Sequence, residues 1–226
     1  MIIPDVLKLP FLVAALGACL LPAADLSTYR GFHFGMPLSQ AAEQAGMKPS
    51  EAKLESRRPA MIQVLDFEPS LFHSAIAKGD PVSTIAFSFV DGELFRMAAV
   101  YDRYKVDGMT ADDMIQALSV FYGTATRPKA EIAYRSYYAE SAPVLARWED
   151  SEYSYNLIRA EDRSTYALVL YSKALDARAQ TALLEAARLD AAEAPQREAE
   201  RVSKQAADNQ IEQEKARLAN KASFRP

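Results

Sequence analysis

Cysteine and histidine are nearly absent from this 226-residue chain, which has one cysteine and two histidines. A single cysteine forms no intramolecular disulfide, so the fold depends on packing even in an oxidising compartment. His33 and His73 have no cysteine partners to complete a zinc site, and we expect no metal and no cofactor. Basic residues are not in excess either: the formal net charge is −4, which argues against a nucleic-acid partner.

Long apolar runs are also scarce, and the only one covers residues 9–24. It is too short for a bilayer core of roughly 30 Å, which needs about 20 apolar residues. A short apolar run behind a weakly charged start, with small residues at its end, is typical of an export signal. The sequence therefore predicts a signal peptide over residues 1–24 and an exported protein.

Cys19, the lone cysteine, follows Leu16-Gly17-Ala18 inside this run. That arrangement is typical of a bacterial lipobox, in which the chain is cut before the cysteine and the thiol is acylated. Ordinary cleavage near Ala23 or Ala24 would instead release a free protein, and an uncleaved anchor is a third alternative. We expect a periplasmic, outer-membrane-anchored or secreted protein that touches the membrane only through a lipid on Cys19, if Cys19 is acylated.

Two stretches after this segment share a pattern, because residues 35–46 and 108–123 both begin with Gly-Met and end with glycine. Each predicts a helix closed by a left-handed glycine cap. Thr110 and Asp113 resemble a capping box at the start of the second helix. Met114, Ile115, Leu118 and Phe121 recur at helical spacing and predict the face that this helix buries.

Strand patterns follow each predicted helix. Alternating apolar residues on either side of the Asp91-Gly92 turn predict a hairpin, and a second hairpin is predicted around residues 161–163. The predicted strands are 51–57, 60–67, 83–90, 94–101, 131–138, 143–149, 153–160 and 165–171. Short connections between successive strands favour an antiparallel sheet.

The sequence thus predicts an α+β fold built from two tandem helix-plus-strands units, residues 28–105 and 106–189, with helices on one face of an antiparallel sheet. A docking helix over 176–189 is expected to turn Leu175, Leu183, Leu184 and Ala187 toward the body. Pro195 is expected to interrupt it. Residues 190–226, charged and poor in large apolar side chains, are predicted to be a helical or disordered tail.

Gly108-Met109-Thr110, the acidic helix after it and the closing Gly123-Thr124 resemble the helix opening of the BamE (SmpA/OmlA) outer-membrane assembly lipoproteins. Residues 35–39 resemble a weaker version of the same opening. That fold is akin to the β-lactamase-inhibitory-protein fold, a tandem of helix-plus-sheet units. The chain departs from it in having one helix per unit and no disulfides. The resemblance implies an envelope or secreted binding module, and no site residue is carried over from it.

Catalytic chemistry has few candidates. Acidic neighbours occur at Asp112-Asp113, Glu149-Asp150 and Glu161-Asp162, at a helix start and at turns where solvated acids are usual. A secreted enzyme using such a pair, or His33 or His73, is the alternative hypothesis. A third hypothesis is a structural protein that oligomerises through its tail.

Tyrosine is the more suggestive residue type, and it is concentrated between residues 134 and 171. Tyrosine and tryptophan are favoured at protein interfaces because they bury a large area at a low entropic cost. A sheet with helices on one side leaves its other face open for binding. Tyr153 and Tyr155, in a polar Ser-Glu-Tyr-Ser-Tyr-Asn context, are predicted to be exposed there and to contact a partner, expected to be another envelope protein.

Overall fold

A computed structural model describes residues 24–69, 80–133, 141–160 and 165–225. Its helices are α1 (Leu38–Gln44), α2 (Ala111–Tyr122) and α3 (Lys173–Ser223), with a short 3-10 turn at Pro49–Glu51. Its strands are β1 (Thr28–Tyr29), β2 (Phe32–His33), β3 (Lys53–Ser56), β4 (Ile62–Phe67), β5 (Val82–Val90), β6 (Glu93–Tyr101), β7 (Glu131–Ala133), β8 (Ser141–Glu149), β9 (Tyr153–Arg159) and β10 (Tyr166–Ser172).

Eight strands of the described ranges form one sheet in the order β3-β4-β5-β6-β10-β9-β8-β7, and every pairing is antiparallel. β1 and β2 form a separate hairpin. The prediction of a mixed fold with a large antiparallel sheet is confirmed. Each predicted strand within the described ranges lies within two residues of an observed one. Residues 134–138 of one predicted strand and the predicted turn at 161–163 lie outside those ranges.

Helix ends follow the local sequence. Thr110 Oγ1 accepts the Asp113 backbone N–H at 3.2 Å, and Asp113 Oδ2 accepts the Thr110 N–H at 2.8 Å, so the predicted capping box at α2 is confirmed. Gly46 and Gly123 have φ of 69° and 81°. Glycine adopts this left-handed backbone without a steric penalty.

α1 and α2 pack on the same face of the sheet. Residues of that face, such as Phe87, Met97 and Leu157, form one buried cluster with Ala41 of α1 and Leu118 of α2. Burial of these apolar side chains is the main stabilising term for the fold.

α3 begins on the opposite face, where Ala179 and Leu183 cluster with Phe95 of β6. α1 and α2 thus share one face, and α3 adds a helix on the other face, for which the sequence made no prediction. The prediction of an open second face is wrong, because Ile158 and Val169, which face that side, are both 0% exposed. The start of α3 covers one end of this face. Another part of it includes the partly buried Ile132 of β7, Ala142 of β8 and Ala130, which precedes β7.

α3 continues through Pro195 to Ser223, so the expected interruption there is wrong and the tail is helical. Proline removes one backbone hydrogen bond, but the turns on either side continue. The buried positions of α3 are 176, 179, 182, 183 and 186, which share one helical face. Leu184 falls on the outer side and is 74% exposed, which corrects its expected orientation. No helix of the described residues is long and apolar enough to cross a membrane.

Candidate functional site: a groove lined with tyrosine

Tyr155, one of the two predicted contact residues, is fully buried, so its predicted exposure is wrong. Its hydroxyl donates to the Thr28 carbonyl at 2.8 Å, and its ring packs edge-on against Tyr122 with 5.0 Å between centroids. β9 turns this side chain toward the face that α2 covers, which the polar local sequence did not reveal. A buried ring offers no surface to a partner in this conformation.

Tyr153, two residues earlier on the same strand face, is half-buried. Its ring stacks on Phe34, with 5.3 Å between centroids and an interplanar angle of 17°. Burial raises the pKa of its phenol. The accessible part of Tyr153 remains a predicted contact.

The acidic neighbours have structural contacts. Asp150 Oδ1 accepts the backbone N–H groups of residues 152 and 153, both at 2.7 Å, which closes the turn between β8 and β9. Glu149 pairs with Lys173 at 2.8 Å, and Asp112 pairs with Arg127 at 2.5 Å. These exposed acids close a turn or form surface ion pairs, and they do not converge on one cleft.

His33 is exposed, and its Nδ1 lies 3.2 Å from the carbonyl of the neighbouring Phe34. Among the described residues it forms no ion pair with an acidic side chain. His73, Glu161-Asp162 and Cys19 lie outside the described ranges. Within those ranges no group of three or more His, Cys, Asp or Glu side chains is placed to hold a metal ion.

A groove of about 580 Å³ lies between α2, the β1–β2 hairpin and the start of β5. This volume is within the range of ligand-binding clefts. Most of its walls are apolar. It is lined by Thr28, Tyr29, Arg30, Pro81, Val82, Tyr101, Lys105, Val106, Met109, Met114, Ala117, Leu118, Phe121 and Tyr122.

One wall of the groove is α2. Met114 and Leu118 point inward and are buried, as the helical spacing predicted. Phe121 was predicted to be buried on the same face, but it is 73% exposed at the rim, and Val120 beside it is 77% exposed. The helix thus carries two neighbouring apolar side chains into solvent at the edge of an apolar groove.

The inner part of the groove carries phenol groups. Tyr29 and Tyr101 are 6% and 7% exposed, and Tyr122 is half-buried. Burial raises the pKa of all three, so they stay protonated and uncharged at neutral pH. Within the described part of the chain, no hydrogen bond engages the hydroxyl of Tyr101 or Tyr122, although these groups can both donate and accept.

An ion pair lies at the mouth. Arg30 reaches Asp80 with both terminal nitrogens at 2.5 Å, and Asp80 Oδ1 also accepts the Val82 N–H at 2.9 Å. Partial burial alone would raise the pKa of Asp80, but the bonds from Arg30 and Val82 outweigh it and lower that pKa. The bidentate pair fixes the β1–β2 turn against the start of β5. Lys105 also lines the groove.

This arrangement suits binding better than acid–base catalysis. A general base works best with a pKa near the operating pH, whereas burial moves these phenols away from it. The groove can take an apolar group and donate hydrogen bonds from neutral hydroxyls. Sequence reasoning missed it because its walls come from segments far apart in the chain. The one local sign was Phe121, an aromatic residue at the end of a helix face.

Comparison of the chain with protein-family models, with curated protein sequences and with solved structures found no match. The resemblance to BamE-like lipoproteins therefore stays a prediction from short motifs.

Proposed function

We propose that this protein is an exported, non-enzymatic binding module of the bacterial envelope, and that the groove beside α2 is its contact surface for another protein. The observation that carries the proposal is Phe121, which is 73% exposed at the rim of an apolar groove. Aromatic residues are enriched among the side chains that contribute most to binding energy at interfaces.

A protein fits this surface better than a small molecule does. Ligand pockets enclose most of the ligand surface, whereas this apolar groove ends at Phe121 on its rim, which is 73% exposed, and the neighbouring Val120 outside it is 77% exposed. Adjoining apolar surface of this kind is typical of protein contact sites. The partner we expect inserts an apolar side chain along Met114 and Leu118 and covers the rim.

The partner also needs a hydrogen-bond acceptor. Tyr101 is 7% exposed and its hydroxyl is unpaired among the described residues. An inserted segment would cover this hydroxyl, and a polar group that is buried without a partner costs free energy, so we expect a backbone carbonyl of that segment to accept its proton. The neutral phenol would then supply orientation as well as affinity.

The sheet order supports the proposed tandem arrangement of residues 28–105 and 106–189. In each half, one helix precedes four strands that pair in sequence, and the two halves meet where β6 pairs with β10. α1 and α2 join the same core cluster. Under this proposal the groove lies between the contributions of the two units, since β1, β5 and α2 all line it.

The envelope location rests on the sequence of residues 1–24, which lies outside the described residues. We propose that Cys19 is a lipid attachment point, with cleavage near Ala24 as the alternative. Intact-mass measurement of the mature protein from its native membrane fraction tests this. A mass that begins at Cys19 with added acyl groups supports the anchor, and an unmodified chain beginning near residue 24 contradicts it.

The binding proposal is tested by placing a photo-reactive phenylalanine analogue at position 121 and, as a matched control, at position 184. Leu184 is 74% exposed but lies on α3. We expect one discrete cross-linked protein from position 121 and none from position 184 after irradiation in cells.

The captured protein is then purified and titrated against the native protein and two variants. Phe121→Ala should weaken binding by about thirtyfold, the equivalent of a 2 kcal/mol contact, while Leu184→Ala should leave it unchanged. Equal cross-linking at both positions, or an affinity that Phe121→Ala does not alter, would contradict the proposal.

A further inference from the structure

The last two-thirds of α3, here called the α3 arm (residues 190–223), contacts the body near its start, where Arg58 pairs with Asp190 and Glu193. Every residue of the arm is exposed except Glu193, which is half-buried. At 1.5 Å per residue the arm is roughly 50 Å long. Packing on an apolar face supplies most of the stability of helices in proteins, and the arm lacks it.

Local interactions within the arm stabilise it less than packing on an apolar face would. Ion pairs three residues apart join Glu198 to Arg201, Glu212 to Lys215 and Glu214 to Arg217. Pairs of this kind add little to an isolated helix, and Pro195 removes a backbone hydrogen bond within the arm. An additional contact would therefore stabilise the helix that is observed.

The charges of the arm are arranged in blocks. Residues 190–200 contain four acidic residues and one basic residue, a net charge of −3, and residues 215–225 contain four basic residues and no acidic ones. The helix dipole favours acids and bases only in the first and last turn. It does not explain an acidic block 17 residues after the helix begins at Lys173.

A shallow apolar stripe follows the acidic block and extends into the basic block. Ala207, Ile211 and Leu218 line one surface depression, and Ile211 and Leu218 are 53% and 55% exposed. The stripe is too narrow to specify a partner by itself, but it gives a seam along which a second helix can lie.

We propose that two copies of this protein associate through antiparallel pairing of their α3 arms, with the acidic block of each beside the basic block of the other. A twofold axis makes both contacts identical, so the charge match occurs twice. Parallel pairing would place like charges side by side and is disfavoured. Self-association through the arm does not depend on the groove, and it leaves the groove free for the proposed partner protein.

A charge-exchange experiment on the mature protein tests the pairing. One variant carries Glu198→Lys and Glu200→Lys, and the other carries Lys215→Glu and Lys221→Glu. The mass of each is measured by light scattering over a range of concentrations at low and high salt. We expect the native protein to dimerise, salt to weaken the dimer, and each variant to raise its Kd by about tenfold or more.

Mixing the two variants should restore a dimer, because the unaltered basic block of one then faces the unaltered acidic block of the other, while the two altered blocks have net charges of +1 and 0 and do not repel each other. Circular dichroism follows the helix content of each variant, and recovery on mixing separates lost pairing from lost helix. Arg57→Glu with Lys129→Glu, two exposed positions outside α3, changes the net charge by the same amount as the Lys215→Glu, Lys221→Glu variant and should dimerise like the native protein. A monomer at every concentration in low salt, or no recovery on mixing, would overturn the proposal.

Discussion

Nη1 of Arg96 lies 3.7 Å from Oδ1 of Asp176, and both side chains are almost fully buried, with 3% and 6% exposed. Arg96 belongs to β6, near the middle of the sheet, and Asp176 belongs to the first turn of α3. The guanidinium also donates to the carbonyl of Ala133 at the end of β7. One charged pair thus ties the C-terminal helix to the face of the sheet opposite α1 and α2.

Replacing Asp176 with asparagine should lower the free energy of unfolding by about 3–5 kcal/mol, because it leaves the Arg96 charge buried without its acidic partner. Urea unfolding followed by the fluorescence of Trp148, the only tryptophan, gives the value. Asp190→Asn on the same helix is the control. The Asp190 side chain is 61% exposed, and its loss should cost less than about 1 kcal/mol. Equal effects of the two substitutions would show that the buried pair does not hold α3 in place.

Two tyrosine-to-phenylalanine substitutions should change the free energy of unfolding by different amounts or in opposite directions. Tyr155→Phe removes a hydroxyl that donates to the Thr28 carbonyl at 2.8 Å, and we expect it to cost about 1 kcal/mol. Tyr101→Phe removes a hydroxyl with no partner among the described residues, so the free energy of unfolding should stay the same or rise slightly. Urea titrations of both variants at neutral pH provide the comparison. A larger loss for Tyr101→Phe would mean that its hydroxyl is bonded in the free protein.

Local patterns in the sequence were sufficient for the strands and for the start of α2. The Asp91-Gly92 turn and the alternation around it give β5 and β6, and the Thr110–Asp113 capping box needs only four residues. The pairing of β6 with β10 joins residues about 70 positions apart. No local pattern specifies which distant strand a strand will pair with.

The groove was not predictable for the same reason. The sequence predicted Tyr155 to be exposed and Phe121 to be buried, and both predictions are wrong. Tyr155 has polar neighbours in sequence and is 0% exposed, while Phe121 lies on an apolar helix face and is 73% exposed. Periodicity says which residues share a face of an element. It does not say how far the neighbouring elements extend over that face.

Stability should fall at alkaline pH. Burial raises the pKa of Tyr29, Tyr101 and Tyr155 in the folded protein, whereas an unfolded chain ionises its tyrosines near pH 10. Their contribution is complete below that pH and is lost as the pH rises, at up to about 1.4 kcal/mol per pH unit for each phenol. Urea unfolding between about pH 8 and about pH 11 measures this slope.

Tyr101→Phe removes one of these phenols. The free energy of unfolding should then fall less steeply with rising pH, by roughly the contribution of one phenol. The unfolding free energy at neutral pH, measured for the variant and the native protein under the same conditions, is the reference from which each alkaline loss is calculated. An unchanged slope in this variant would contradict the assignment of Tyr101 to the alkaline transition.

Pro195→Ala should stabilise the α3 arm. Proline inside a helix costs about 3 kcal/mol relative to alanine, because it lacks the N–H that would bond to the carbonyl of Ala191 and its ring crowds that carbonyl. The substitution should slow amide hydrogen exchange over residues 190–200, while the unfolding free energy of the sheet stays within about 0.5 kcal/mol. Ala199→Gly in the same block is the opposite control and should speed exchange there. If exchange over this block is unchanged in Pro195→Ala, the proline does not limit the stability of the helix in the arm.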